Sequence, residues 1–188
     1  NANFAWLQHM IKSMDSKNGR CAVVLPQGVL FHSGKEGEIR EQLVRSDKLE
    51  AVITLASGVF YSTGVSACIL FLNNKKENKH KGRICLIDGT EIYTPQRAQN
   101  IISPDNVKTL YKRYTDYVDV IEKCKIVTID DVEKGGFELS VKKYIEQKAK
   151  EAIPHEKVLL AYYEALTKVH KSEEKMRKLL IEGGYVNE

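Results

Sequence analysis

"CAVVLPQGVLFHSGKEGEIREQLV", residues 21–44, is the stretch on which the fold turns. Its opening run is apolar at every position and stops at Pro26, a residue that cannot donate to a strand ladder. A short, unbroken apolar run predicts a strand covered on both faces, as in a parallel α/β sheet. The loop "QGVLFHSGKEG" follows, with Gly28 and Gly34 as its turning points, and "EGEIREQLV" reads as a short helix with Ile39, Leu43 and Val44 inward.

The same alternation extends in both directions. Upstream, Phe4, Leu7, Ile11 and Met14 recur at helical spacing, and Gly19 suits the stop that follows. Downstream, "LEAVITL" and "SACILFLN" are two further buried strands separated by "ASGVFYSTGV", a loop with two glycines and two adjacent aromatics. Helix, strand, helix, strand is the pattern of a doubly wound α/β unit. "NNKKENKHKG", carrying Lys75, Lys76, Lys79 and Lys81, reads as a solvated connection before the strand "RICLID". Ser103, Pro104 and Asp105 signal a helix start. The helix has Val107, Leu110, Tyr111, Tyr114, Val118 and Ile121 on one face. "KIVTID" is a further strand or an extended cover, and "KGGFELSVKKYI" a loop with a short extended piece. After a break at Pro154, residues 156–182 form one long helix. Its Leu159, Tyr162, Leu166, Val169, Met176 and Leu180 fall on three- and four-residue steps, with Glu173 as the one polar step. A seam of that length predicts pairing with another helix. Three segments result: 1–74, 75–135 and 136–188.

Composition sets the class. The 188 residues are 43% hydrophobic and 29% charged, which is ordinary for a globular protein, and the net charge of +4 is too mild to name a partner. Cys21, Cys68, Cys85 and Cys124 lie far apart inside apolar segments, a pattern of reduced, buried thiols in a cytoplasmic protein rather than of a metal or redox motif. His9, His32, His80, His155 and His170 have no metal-ligand spacing, so no metal site is expected. No apolar stretch has the roughly 20 residues of a membrane span. The first residue is not methionine, and the expectation is a chain that begins inside a longer one.

Two segments taken together, "RCAVVLPQGVLFHSGKEGEIREQLV" and "LEAVITLASGVFYSTGVSACILFLN", resemble the methylation subunit of type I restriction-modification systems, the adenine-specific DNA methyltransferases. The likeness runs from about residue 3 to 73, resumes at "RICLIDGT", and returns at "EKGGFELSVKKYI". It implies the C-terminal half of an S-adenosylmethionine-dependent methyltransferase sheet whose final strand returns antiparallel, followed by a helical tail. The family's first half carries a glycine-rich cofactor loop and an Asn-Pro-Pro-aromatic motif that holds the target amine. Neither is found among the four prolines and twelve glycines here. The expectation is therefore no catalytic residue in this chain, no activity from it alone, and dependence on the missing N-terminal half. Partners implied are DNA, the specificity subunit that the C-terminal helix would dock, and the restriction subunit.

The resemblance also sorts single residues. Related adenine methyltransferases place a base-stacking aromatic where this chain has Phe60, with Tyr61 as the adjacent alternative; the bland reading is a phenylalanine tucked into the core. Pro26, Gly28, Phe31 and Gly34 belong to the loop at the carboxyl end of a strand, where open α/β sheets bind ligands, or else the glycines only permit the turn. Glu38 and Arg40 form a local pair, reach the DNA backbone, or are simply surface charge. A rival of another class remains: a non-catalytic module or truncated remnant that binds a partner through its last helix. A third reading, an unrelated nucleotide-binding protein, is disfavoured because no glycine-rich phosphate loop follows a predicted strand.

Overall fold

The computed structural model describes residues 2–61, 63–145 and 154–186. It divides into two compact units, residues 1–148 and 149–188. In the first, the apolar runs become β1 (Arg20–Pro26), β2 (Leu49–Leu55), β3 (Ala67–Asn73) and β4 (Arg83–Gly89). A hairpin of two very short strands, β5 (Thr94–Pro95) and β6 (Asn100–Ile101), precedes β7 (Cys124–Thr128). Five strands form one sheet in the order β1-β3-β2-β4-β7. β3 lies between β1 and β2 and is antiparallel to both; β2 and β4 are parallel, and β7 is antiparallel to β4.

Helices cover both faces, as a doubly wound arrangement requires. On one face pack α1 (Asn3–Ser13), α2 (Lys35–Arg45), α4 (Ile129–Lys134) and α5 (Val141–Tyr144). They contribute Phe4, Leu7, Leu43, Val44, Val132 and Val141 to a core with Val52, Leu70 and Leu86 from the sheet. The other face holds a smaller core, in which α3 (Pro104–Asp116) sets Leu110 against Ile53, Cys85 and Ile87. α3 starts as the sequence requires: Ser103 Oγ accepts from the Asn106 backbone N–H, and Asn106 Oδ1 accepts from the Ser103 N–H, a reciprocal capping box.

Several local expectations are corrected. β1 is not covered on both faces. It is an edge strand with Val23 and Leu25 buried, while Val24 is 50% exposed, because α1 and α2 cover only one of its faces. The inward face of α3 is narrower than its periodicity suggests. Tyr117 adopts a left-handed backbone with φ 49 that ends the helix, so Val118 and Ile121 leave its register, and Val107 and Tyr111 point to solvent. "SVKKYI" forms the helical turn α5 rather than an extended piece, since helical spacing lets Val141 and Ile145 bury together.

The lysine-rich connection is not uniformly solvated either. Lys76 is buried, its Nζ 2.6 Å from Asp47 Oδ1 and 2.9 Å from the Arg83 carbonyl. His80 is buried too, stacked at 3.6 Å on Tyr117. Its Nδ1–H donates to Glu50, which lies at the start of β2 and is only 3% exposed. Asn73 Nδ2 reaches both Glu50 oxygens, the Tyr114 hydroxyl donates to Oε2 at 2.7 Å, and the Arg20 guanidinium stands 3.5 Å away. A buried carboxylate requires such a set of donors. Burial pushes the Glu50 pKa up, but the hydrogen bonds from Tyr114, Asn73 and His80, with Arg20 beside them, outweigh it and leave the carboxyl below its ordinary 4.5. Tyr114 moves the other way, to about 12, through burial and its bond to Glu50.

A folded value below the unfolded one means that the Glu50 carboxylate adds stability in full above the unfolded value and loses it as pH falls through the folded one. Glu50→Gln is expected to cost about 2 kcal/mol at neutral pH. It should also flatten the loss of stability between about pH 5 and 3. Urea unfolding followed by the fluorescence of Trp6 across that range measures both effects.

Candidate nucleic-acid interface

The strand directions bring three loops to one edge of the sheet. β1, β2 and β4 all run toward it and end at Pro26, Leu55 and Gly89, while β3 starts there at Ala67. The carboxyl edge of parallel strands is where open α/β sheets place their ligands. The loops after β1 and β2 are joined by a backbone bond, Gln27 N–H to the Ser66 carbonyl at 2.9 Å.

The loop after β1 is held from within. Gln27–Leu30 is a 3-10 turn that buries Val29 and Leu30 and leaves Phe31 half exposed. Phe31 packs edge-on against His32, whose Nδ1 lies 2.9 Å from Glu36 Oε2. Gly28 lies close under the His32 ring: a Cβ would come within 2.6 Å of His32 Cε1, so a larger residue would push the ring aside. Gly34 is required by its backbone, with φ +68 at the start of α2.

Arg40 fixes the loop, and neither surface charge nor DNA contact describes it. The residue is 4% exposed. Its Nη1 donates to the Val29 carbonyl at 3.2 Å and the His32 carbonyl at 2.7 Å, and its Nε to the Phe137 carbonyl at 2.7 Å. Burial lowers the guanidinium pKa, opposed by Glu138 and Glu36 nearby. The guanidinium thus ties the loop after β1 to the "GGF" turn near the end of the unit. A sequence signal existed: Arg40 stands three and four residues before Leu43 and Val44, on the same helix face.

The loop after β2 presents its aromatics outward. Phe60 is 41% exposed and Tyr61 83%, so neither is tucked into the core. The β5–β6 hairpin braces this loop. The Asn100 N–H donates to the Gly58 carbonyl at 2.9 Å, and its Nδ2 to the Ser57 carbonyl at 2.8 Å. Phe60, Tyr61, Gln96, Arg97 and Gln99 line the concavity of about 390 Å³ between them. Phe31 and His32 line a separate hollow. At the end of β4, Asp88 Oδ1 accepts from the Thr90 N–H and from the hydroxyls of Thr54 and Thr90, which fixes the turn leading to the hairpin.

The second unit contains α6 (His155–Glu182), which buries none of its residues. Leu159, Tyr162, Val169, Met176 and Leu180 are exposed and Leu166 is half-buried. Val158, Leu160, Tyr163 and Leu179 are exposed as well, so the apolar surface is broader than a single seam. Among the described residues no group of three or more His, Cys, Asp or Glu is placed to hold a metal, and no helix is long and apolar enough to cross a membrane.

With that geometry in place, the likenesses to known proteins fall at the expected residues. A family model described as N-6 DNA methylase matches residues 1–152. The type I restriction enzyme MjaVIII methylase subunit of Methanocaldococcus jannaschii is 32% identical over 190 residues, covering 100% of this chain and 32% of that protein. A crystal structure of the type I restriction-modification methyltransferase subunit from Streptococcus thermophilus superposes with TM-score 0.73 at 25% identity, over 78% of this chain and 31% of that one. A structure addressing complex assembly and conformational transition of the type I system shares the fold, with TM-score 0.60 at 19% identity over 95% of this chain and 39% of that one. The chain spans about a third of the length of the curated relatives it matches.

Arg40→Leu removes three charge-assisted bonds and leaves three carbonyls without their donor. A loss of about 3 kcal/mol is expected. Amide hydrogen exchange should accelerate at residues 29–32 and 137 before it changes in β2 or β4. Uniform acceleration across the sheet would mean that Arg40 supports the whole core and not the loop.

Proposed function

The chain belongs to the N-6 DNA methylase family, and from that premise we propose that it is part of the modification subunit of a type I restriction-modification system, methylating adenine in DNA with S-adenosylmethionine. One observation carries the reading beyond family membership: two adjacent aromatic side chains stand exposed on a braced loop at the carboxyl edge of the sheet. An enzyme that alters a base inside a duplex must first extrude it, and an aromatic face offsets part of the lost stacking. Phe60 or Tyr61 is the surface on which the extruded adenine stacks. The loop after β1, with Pro26, Gly28, Phe31 and Gly34, forms the neighbouring wall.

The methyl donor is held mainly by sequence other than these residues. The loop after β1 packs on its own residues, with Gly28 against His32 and the turn tied by Arg40. The groups that hold S-adenosylmethionine and accept the protons of the amine belong to sequence outside these residues, consistent with relatives three times as long. This chain alone is inactive on that account. Its contribution is to stack, orient and shield the base.

α6 supplies the second contribution. A helix of 28 residues that buries no face of its own gains most of its stability from a partner. Docking onto helices of the specificity subunit supplies that partner, and the restriction subunit joins the same assembly. The exposed surface of α6 equally favours a second reading, a non-catalytic module that binds through this helix. Joining the chain to the N-terminal region of a full-length relative separates the two. Methyl transfer to DNA appears under the first and not under the second.

In the full-length subunit assembled with its specificity subunit, Phe60→Ala is expected to lower kcat/KM for DNA by roughly tenfold, the size of a lost base-stacking contact. A mismatch opposite the target adenine should recover part of that loss, because extrusion then costs less. Transfer of tritiated methyl groups to paired and mismatched duplexes tests this. Equal rates for Phe60→Ala and the wild type, with Tyr61→Ala impaired, would assign the role to Tyr61.

A further inference from the structure

Resting on the methyltransferase reading above, we propose that the hairpin turn at residues 96–99 is a DNA-binding wall, in which Arg97 holds a backbone phosphate beside the extruded base. The hairpin is far too short to stand by itself. Its two strands have two residues each, and the Gln96 N–H to Gln99 carbonyl bond of 3.2 Å closes the turn. It is held from both sides instead. Thr94 Oγ1 lies 3.0 Å from Asn106 Oδ1, within the capping box of α3, and Asn100 bonds the carbonyls of Ser57 and Gly58 in the aromatic loop. The turn and the Phe60–Tyr61 loop are thereby fixed as facing walls of one concavity.

The chemistry of those walls suits a nucleotide. Arg97 is the one charged residue lining the concavity among the described residues, and no carboxylate lines it. Among those residues its guanidinium has no ion pair, so its donors are available to a phosphate oxygen. An aromatic face and a cation on opposed walls match two parts of a stacked nucleotide, base plane and phosphate.

The test uses the assembled modification complex and duplex DNA containing its methylation site, mapped beforehand by sequencing host DNA. Arg97→Gln is expected to raise KM for DNA roughly tenfold while kcat changes little. It should also reduce the slope of log affinity against log salt by about one. Arg97→Lys keeps the charge and should retain the slope, which a packing role for the arginine would not predict. Wild-type salt slope and KM in Arg97→Gln, with methyl transfer intact, would overturn the hairpin assignment and leave the methyltransferase reading standing. Absence of methyl transfer by the wild-type complex would overturn that reading, and the hairpin assignment with it.

Discussion

β3 lies between β1 and β2 and runs against both, and the rest of the first unit follows from that placement. Because its neighbours run the same way, β1 and β2 deliver their carboxyl ends to one edge. The chain leaving β2 must enter β3 at that same edge, so the connection between them starts and finishes beside the end of β1. The bond from the Gln27 N–H to the Ser66 carbonyl is the direct result. Had β3 joined the sheet parallel to β2, a crossover would have carried the loop to the far edge. Phe60 and Tyr61 could not then stand near the loop that holds Phe31.

Two buried charges stabilise opposite ends of this sheet in different ways. Arg40, at the loop edge, gives its donors to three carbonyl oxygens, and among the described residues no carboxylate pairs with it directly. Glu50, at the other edge, is surrounded by donors from four separate segments of chain. Removing either charge alone leaves its buried partners unpaired, which is where the cost of substitution lies. What they add is placement. Arg40 accepts only one arrangement of the loop after β1, and Glu50 only one docking of α3 and of the turn bearing His80.

Much of the scaffold was legible in the sequence, and the reasons are local. Residues 3–13 and 104–116 declare themselves by period and by Ser103, and β2, β3 and β4 by unbroken apolar runs. The antiparallel direction of β3 followed from the family resemblance and not from its apolar run, and the run of β1 did not reveal its one-sided cover, because an apolar run states that side chains are buried and not what covers them. Lys76 and His80 were misread as solvated because their partners, Asp47 and Glu50, stand about thirty residues earlier. The β5–β6 hairpin left no trace, its strands being shorter than any period can reveal. The placing of Phe60, Tyr61 and Phe31 on loops between strands was readable, whereas the hairpin facing Phe60 and Tyr61 was not.

The long helix poses the opposite problem. Its sequence was read correctly as helical and amphipathic, yet α6 buries nothing, and its apolar residues spread beyond the seam Leu159, Tyr162, Leu166, Val169, Met176 and Leu180. A two-stranded coiled coil needs only a narrow stripe, with polar side chains elsewhere. Tyr163 and Leu160 lie outside that stripe and are exposed, so a single docked helix would leave them in water. Burial of both sets calls for contact on more than one face, as in a bundle of several helices. The breadth of the apolar surface therefore favours a multi-helix partner over simple pairing, and it does so without appeal to what the relatives assemble with.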